Sequence, residues 1–500
     1  MKNPFPLQAK ISNLQASCWG LFLIFSLTAC STPGPDVIAL KTTSASALQL
    51  PAISTTDFTS TWWESWGDPQ LNTLIATALQ SNPTLATAQL RVRRMQALAG
   101  LAQAAGLPQA NLGADFTRQR FSANGLYPKP IAGNTWDNDS LQGAVSWSLD
   151  LWGQHAAELA SAVGQTRASQ ADAAAAATGL ASQIAKGYVA LARLMAHREI
   201  AQRTLLQRQT MQALVAQRFA AGLDTRIEQI QSDGNVSDAQ NQIEALEEQS
   251  TLVRHQLAVL SGQAPQTLNT LSPQLKALQL DVVPAVLGAD LLGRRPDVVA
   301  SRWRVEAASQ DVVVARTQFY PNVNLSVFVG FNALGVGHLL NADSRQMGVS
   351  PAVRLPLFDG GRLQAQLSGR QAELDMAVSQ YNFAVLEAVK ESTDAISSDQ
   401  SLMRQAESQT AALASAHKNH ALAQQRFDAG LGNHLNVLSA ETAVLLQSRA
   451  SVDVKARQLD NRVNLMKALG GGWREETAAL PAPVAATSES APALPIESIL

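Results

Sequence analysis

The sequence predicts a mainly α-helical protein with a small amount of membrane β-structure, built as an internal duplication. Three observations predict it. Residues 153–262 and roughly 360–469 are two long stretches free of proline and rich in Ala, Gln, Leu and Arg. Near the middle of the first stands Gln217-Arg218-Phe219-Ala220-Ala221-Gly222-Leu223. The same words return at Gln425-Arg426-Phe427-Asp428-Ala429-Gly430-Leu431, 208 positions on (427 − 219). Elsewhere, four short segments alternate apolar and polar residues with period two, the pattern of half-buried strands. Helix-favouring composition without proline, broken once by glycine, describes two long helices joined by a tight turn. The arm from Gly153 to Phe219 would run about 100 Å, far beyond the helices of a compact domain.

The composition removes several function classes. Of 500 residues only 5% are aromatic, and much of the 46% hydrophobic content is alanine, which suits close helix contact better than a thick globular core. A net charge of −2 offers no basic field to nucleic acid. The two cysteines, Cys18 and Cys30, lie outside the body of the chain, so neither a disulfide framework nor a cysteine metal site is expected. No P-loop, G-x-S-x-G elbow or H-E-x-x-H motif is present. His417 and His420 have i, i+3 spacing on a helix but no supporting ligand. Asp115 and Asp150 are explained as polar residues facing a lumen from strands, without catalysis. No enzyme activity and no cofactor are expected.

The elements follow in order. Lys2 and Lys10 precede an apolar run at 18–27, too short to span a bilayer, and then Thr28-Ala29-Cys30, which reads as a processing site. Leu27-Thr28-Ala29-Cys30 resembles the bacterial lipobox, which implies cleavage before Cys30, lipidation of that cysteine and, with Ser31 next, an outer-membrane address. Residues 30–60 are a Ser/Thr/Pro/Ala-rich linker. Asp68-Pro69 opens a helical pattern that breaks at Asn82-Pro83 and resumes to about Gly106; proline is tolerated in a first turn, where its missing N–H has no partner to lose. At Pro108 the period changes to two. Leu112, Ala114 and Phe116 alternate with polar residues, a polar loop follows at 122–139, and Leu141, Val145, Trp147, Leu149 and Leu151 line one face of a second strand. The long arm begins at Gly153.

The second half repeats this order. Arg295-Pro296 matches Asn82-Pro83 and Pro321 matches Pro108, each 213 positions on (295 − 82). Val323, Leu325, Val327 and Val329 form a third strand. After a loop at 332–345, a fourth holds Val349, Val353 and Leu355 but is weakened by Pro351 and Pro356, each of which removes a ladder donor. The chain divides into a signal peptide (1–29), a linker (30–60) and a first repeat (61–262, strand hairpin 108–152, helical hairpin 153–262). A connecting segment (263–289), a second repeat (290–473, strand hairpin 319–358, helical hairpin 360–469) and a disordered tail (474–500) follow.

Four amphipathic strands of about ten residues are long enough to cross a bilayer at a tilt, yet too few to close a barrel. Open edges in hydrocarbon cost several kcal/mol per unsatisfied group, so one chain must pool its strands with copies of itself. The arms make the same demand. Leu438, Leu445, Val452, Leu459 and Met466 recur every seven residues, the spacing of a left-handed supercoil. A ring of such helices continuous with a strand barrel encloses a water-filled tube.

The residues here reach a known family. Trp62-Trp63 with Asp68-Pro69-Gln70-Leu71, Leu149-Asp150-Leu151-Trp152-Gly153, Arg295-Pro296-Asp297-Val298, Phe319-Tyr320-Pro321, Phe358-Asp359-Gly360-Gly361-Arg362 and Leu469-Gly470-Gly471-Gly472-Trp473 together resemble the TolC-type outer-membrane efflux factors, in the lipoprotein branch that includes OprM and NodT. The resemblance covers about residues 60–473. It implies a homotrimer in which a twelve-stranded β-barrel in the outer membrane continues into a twelve-helix α-barrel through the periplasm. It further implies an exit duct for drugs or other small toxic molecules, joined by a periplasmic adaptor to an inner-membrane pump of RND type.

In this family the helix turns form the periplasmic tip, closed at rest. Phe219, Gly222 and Leu223, with Phe427, Gly430 and Leu431, are thus the expected adaptor contacts. Where the family commonly has carboxylates after the second-repeat glycine, this sequence has Asn436 and Ser439; the first repeat keeps Glu228, near Asp224 and Arg226. These five residues are the expected gate, held by packing and by hydrogen bonds of Glu228 and Arg226. Asp115, Asp150 and Arg354 are the expected lumen-facing charges of the strands. The reading from another class is a structural or assembly lipoprotein without a conducting lumen.

Overall fold

The computed structural model of the protein describes residues 40–43, 59–279 and 291–475. Cys30, the signal peptide, most of the linker, the end of the connecting segment and nearly all of the tail lie outside the described residues.

Helix α1 (Pro69–Ser81) is capped by Asp68, whose carboxylate accepts from the N–H of Gln70, and α2 (Pro83–Ala105) by Asn82, whose side chain accepts from Thr84 and Leu85. Strands β1 (Gln109–Arg120) and β2 (Thr135–Leu149) form a hairpin. The arms α3 (Gln154–Ala220) and α4 (Arg226–Leu260) follow. The second half gives α5 (Pro296–Thr317), β3 (Asn322–Leu334), β4 (Arg345–Arg354), α6 (Arg362–Asp428) and α7 (His434–Ala468). The duplication holds to the residue: α3 and α6 have 67 residues each, α4 and α7 have 35 each, and both pairs start 208 positions apart (362 − 154 and 434 − 226).

Strand boundaries differ from the expectation. β2 begins at Thr135, inside the segment read as loop, because Asn138, Asp139 and Ser140 pair with both β1 and β3. Backbone pairing does not require apolar side chains, so polar ends of strands were not visible by periodicity. β2 also stops at Leu149, short of Leu151. β4 ends at Arg354, before Leu355 and Pro356, and includes Pro351 opposite Leu325; in the single chain it is an edge strand.

The four strands form one antiparallel sheet in the order β1-β2-β3-β4. Its register sorts the side chains. One face carries Leu112, Ala114, Leu141, Val145, Trp147, Val327, Val329, Met347 and Val349 in aligned rows; the other carries Asp115, Gln142, Ser146, Asn324, Ser326, Asn332 and Ser350. Phe328 interrupts the polar face opposite Gly348, where an added Cβ would lie 2.7 Å from the ring.

The core sits halfway down the arms. Trp62, Trp66, Leu71 and Ile75 pack on Ile184, Tyr188 and Leu191 of α3 and on Leu257, Leu459 and Val463 of the return helices. Tyr188 donates its hydroxyl to Asp68 at 2.7 Å, and burial, reinforced by that carboxylate, holds its proton on far above the ordinary phenol range. The expected heptad faces inward: Leu438, Leu445, Leu459 and Met466 are buried, and Val452 is partly so. In each repeat the residue before a helix-opening proline fastens the end of the return helix, with different chemistry in the two. Asn82 donates to the carbonyl of Leu260 at 2.8 Å, and Arg295 donates to that of Ala468 at 3.4 Å, the final residues of α4 and α7. Arg295 also pairs with Asp297 at 2.6 Å and with Glu391 of α6 at 2.7 Å, which is why Arg-Pro-Asp stands there.

Candidate functional site

Two places carry the functional geometry, the sheet and the hairpin tips about 100 Å away along the arms. From Val323 to Phe331 the rows of this face extend about 26 Å, the last of them also holding Arg345, close to the ~25 Å apolar band of an outer-membrane barrel. Tyr320 stacks on Trp152 at 4.9 Å where the sheet meets the arms; Trp152 donates to the carbonyl of Pro321, and Trp147 donates to that of Gly106. These are amphipathic rings, each with its N–H or ring face engaged where the sheet meets the helices. Among the described residues, β1 and β4 leave both sheet edges without a further strand partner. Among the same residues, no helix is long and apolar enough to cross a membrane.

The three expected lumen charges separate. Asp115 lies on the polar face in the row of Ser140 and Asn332, and Arg354 lies on the same face opposite Asn322, about 33 Å away along the strands. Asp150 does not belong with them. It follows the last residue of β2 and accepts a hydrogen bond from the N–H of Ala156 at 3.0 Å, holding the first turn of α3. Asp359 does the same for α6, accepting from Gly361 and Leu363; those bonds hold its carboxyl below the usual range.

The two tips are built alike. Gly222 and Gly430 have φ of 73° and 72°, in the left-handed region. Leu223 donates to the carbonyl of Arg218, and Leu431 to that of Arg426, both at 2.8 Å; each glycine donates to its phenylalanine, Phe219 or Phe427, at 2.9 Å. This is a Schellman ending, which satisfies the last carbonyls of the helix. Phe219 and Phe427 are each 38% exposed, and Leu223 and Leu431 are more so at 67% and 74%.

Beyond the glycines the tips diverge. Glu228 and Arg226 do not bond to each other within the chain. Glu228 accepts from the hydroxyl and the N–H of Thr225 in a capping box, which holds its carboxyl below the usual range, and Arg226 donates to Gln229 at 2.8 Å. A carboxylate at the third position of a helix is drawn to the free N–H groups there, so the cap outcompetes the arginine. Asp224 is bound by Arg218 through two hydrogen bonds of 2.9 Å, and that guanidinium lowers its carboxyl pKa. The sequence reading missed Thr225 and Arg218. The first was legible in Thr-x-x-Glu; the second had no signal until the turn folded it back.

At the second tip Asn433 caps α7 by accepting from the N–H of Asn436 at 3.0 Å, and His434 lies against Phe427 with ring centres 5.0 Å apart. Asn436 and Ser439 are exposed while Val437, Leu438 and Ala440 are buried, so the two polar residues share the unpacked side of α7. Nearer the core, a residue the sequence did not single out ties the repeats together. Gln207 of α3 is buried and donates to the carbonyl of Leu438 at 2.7 Å and to the hydroxyl of Thr442 at 2.9 Å.

Known proteins share this arrangement. The multidrug resistance outer membrane protein MdtQ of Escherichia coli O157:H7 is 31% identical over 423 residues, covering 83% of this chain and 88% of that protein. The fusaric acid resistance protein FusA of Burkholderia cepacia is 38% identical over 318 residues, 62% of this chain and 59% of that one. The crystal structure of the outer membrane protein VceC from Vibrio cholerae superposes with a TM-score of 0.77 at 32% identity, covering 83% of this chain and 99% of that chain. The fold is thus TolC-like. Residues 74–263 and 287–471, one segment in each repeat, match the family described as outer membrane efflux protein, and the chain belongs to that family.

Proposed function

We propose that the protein is the outer-membrane exit duct of a tripartite efflux pump, passing drugs or other small toxic molecules out of the cell. The observation that carries this is a four-stranded sheet with an apolar band on one face, a polar lining on the other and two open edges. Such a sheet is stable in lipid only when its edges are paired, and β4 of one copy with β1 of the next pairs them. The helices agree. α7 packs on both α6 and α3, whereas α4 packs on α3 and leaves its other flank open. By the duplication, α4 of one copy seats on α6 of the next as α7 seats on α3. Three copies close a twelve-stranded barrel over a twelve-helix tube.

In this reading Cys30 carries the lipid anchor in the outer membrane, and Asp115 and Arg354 line the barrel. The exposed Phe219, Leu223, Phe427 and Leu431 meet a periplasmic adaptor, beneath which an RND-type inner-membrane pump loads the tube. Asn436 and Ser439, with Asp224, Arg226 and Glu228, border the mouth. Fewer free carboxylates than usual there predict weak block by cations.

The test is purification in detergent followed by insertion into planar bilayers. Three copies per particle and ion-conducting insertions are expected; a lone subunit, or particles that insert without conducting, would overturn the reading in favour of a non-conducting lipoprotein. Val327→Arg, on the apolar face near mid-band, is expected to cost about 2–4 kcal/mol of insertion and abolish conductance, while Ser326→Arg beside it inserts normally. Deletion of the gene is expected to raise drug susceptibility.

A further inference from the structure

The outward face of the sheet, the one that carries the apolar rows, is chemically lopsided along its length. From the arms to the row of Ala114, Leu141 and Phe331 its only charged strand residue is Arg345, at the end of that last row. Every other strand charge on this face, Arg118, Arg120, Asp137 and Asp139, lies farther from the arms. Arg345 thus stands at the rim of the apolar band, where hydrocarbon gives way to headgroups. The rim nearer the arms has no charged strand residue at all.

The arginines belong to the edge strands β1 and β4, and the carboxylates do not. Asp137 and Asp139 are on β2, in the interior of the sheet; Asp137 lies 3.7 Å from Arg118, and Asp139 is only 2% exposed. Asp343 is in the loop before β4, beyond the rim. Arg345 is exposed and has no side-chain hydrogen bond or ion pair among the described residues. Arg120 uses only its Nε, on the carbonyl of Gly133 at 3.4 Å.

The inference rests on the ring proposed above, in which β4 of one copy pairs with β1 of the next. The strand ends far from the arms step back regularly. β2 starts at Thr135, β3 ends opposite Asn138 and β4 starts in the row of Leu141, steps of three residues (138 − 135 and 141 − 138). Continued across the seam, the same step brings Arg120 of the next copy to within about one row of Arg345, roughly 7 Å along the strand, with Arg118 a row nearer the arms. Arginines gathered in this way repel one another unless an anion sits between them, and their planar forks match phosphate oxygens. Towards the arms, Leu112, Ala114 and Phe116 of β1 and Met347 and Val349 of β4 are exposed and apolar, a seat for acyl chains. Phospholipid headgroups call for cations at both rims, and these strands supply them at one. That selects a lipid confined to the outer leaflet.

We propose that Arg345 of one copy, with Arg118 and Arg120 of the next, forms a phosphate site at each seam of the barrel for lipid A, the acylated and phosphorylated glucosamine disaccharide of that leaflet.

The experiment weighs the intact full-length protein by native mass spectrometry after mixing it in detergent with bisphosphorylated lipid A, so that subunit number and bound lipid are read together. Trimers carrying one lipid per seam are expected. Arg345→Gln and Arg120→Gln should each weaken binding about tenfold, the loss of one charged hydrogen-bonding partner, whereas Arg94→Gln, at an exposed position of α2, should not change it. Wild-type trimers should hold dephosphorylated lipid A, and phosphatidylglycerol, at least about tenfold more weakly than the bisphosphorylated lipid. Where Arg345→Gln yields no trimers, Arg118→Gln takes its place beside Arg120→Gln. Undiminished binding by the variants, or equal binding of lipid A with and without phosphates, would overturn the site and leave the ring standing. Equal binding of phosphatidylglycerol would overturn the assignment to lipid A. Single subunits would overturn the ring, and this site with it.

Discussion

The return helices α4 and α7 have the same length, follow the same turn and occupy the same place in the two repeats, yet one is packed and the other is not. α7 buries Val437, Leu438, Val444, Leu445, Leu459, Val463, Leu465 and Met466, whereas α4 buries Ser232, Ala239, Ser250, Leu257 and Ala258. Ile230 is 59% exposed where its counterpart Leu438 is 4% exposed. The difference teaches that duplication of a sequence does not duplicate its surroundings. Within the chain α7 packs on both α6 and α3, whereas α4 packs on α3 and leaves its other flank open.

Perturbations at equivalent positions can break or sharpen this comparison. The largest effect is expected before the helix-opening prolines. Arg295→Ala removes the buried cation from Asp297, leaves Glu391 with only Lys467 at 4.0 Å, and should cost about 3–5 kcal/mol, whereas Asn82→Ala, which removes a cap and one bond to Leu260, should cost about 1–2 kcal/mol. Denaturant unfolding decides, and equal costs would show that the two fastenings are alike. The Asp297 carboxyl is pushed up by burial but pulled down by the hydrogen bond and charge of Arg295 together with backbone N–H donors, so its net pKa is lowered. Its stabilising share is therefore present above the ordinary carboxylate value of about 3.9 and lost as pH falls through its own lower value. The gap between wild type and Arg295→Ala should accordingly narrow only below about pH 4.

Next in size, Leu459→Ala in the α7 heptad should cost about 2–5 kcal/mol, against less than about 0.5 kcal/mol for Thr251→Ala at the matching place in α4. A large loss at Thr251 would mean that α4 is better packed than its burial indicates. The tips should behave as equals: Gly222→Ala and Gly430→Ala each place a side chain at positive φ and should each cost about 1–2 kcal/mol, with thermal unfolding as the readout. The smallest effect separates them again. Arg218→Gln should speed amide exchange at the first tip by releasing Asp224, while Arg426→Gln should leave the second unchanged, because Gly432 stands where Asp224 does. Since Arg218 holds the Asp224 carboxyl below its usual range, the first difference should persist from pH 7 down to about pH 4; its disappearance by pH 5 would remove the ion pair from the turn.

Much of this was legible beforehand because it rests on local rules. The two helical hairpins followed from proline-free composition and a single glycine, and the inward face of α7 from leucines seven apart. Strand faces followed from alternation, as at Val323, Leu325 and Val327. Other features failed for physical reasons that can be named. The polar start of β2 carries no periodic signal, since ladder bonds join backbones whatever the side chain. Asp150 alternates with its strand neighbours in sequence, but the chain leaves the sheet before reaching it and commits its carboxylate to a helix end. Glu228 and Arg226 are close in sequence and opposite in charge, and the cap at Thr225 still held the glutamate more firmly.

The sequence by itself determined the repeat, the length of every arm, the turns at Gly222 and Gly430 and the sidedness of the sheet, because each depends on neighbours within a few residues along the chain. Only the tertiary structure decided which return helix is enclosed, that Arg218 clasps Asp224, and that Gln207 is buried and joins the two hairpins while Ser415, at the matching place, stands exposed. Those outcomes depend on partners brought together from positions far apart in the chain, and no local pattern of residues encodes a partner's address.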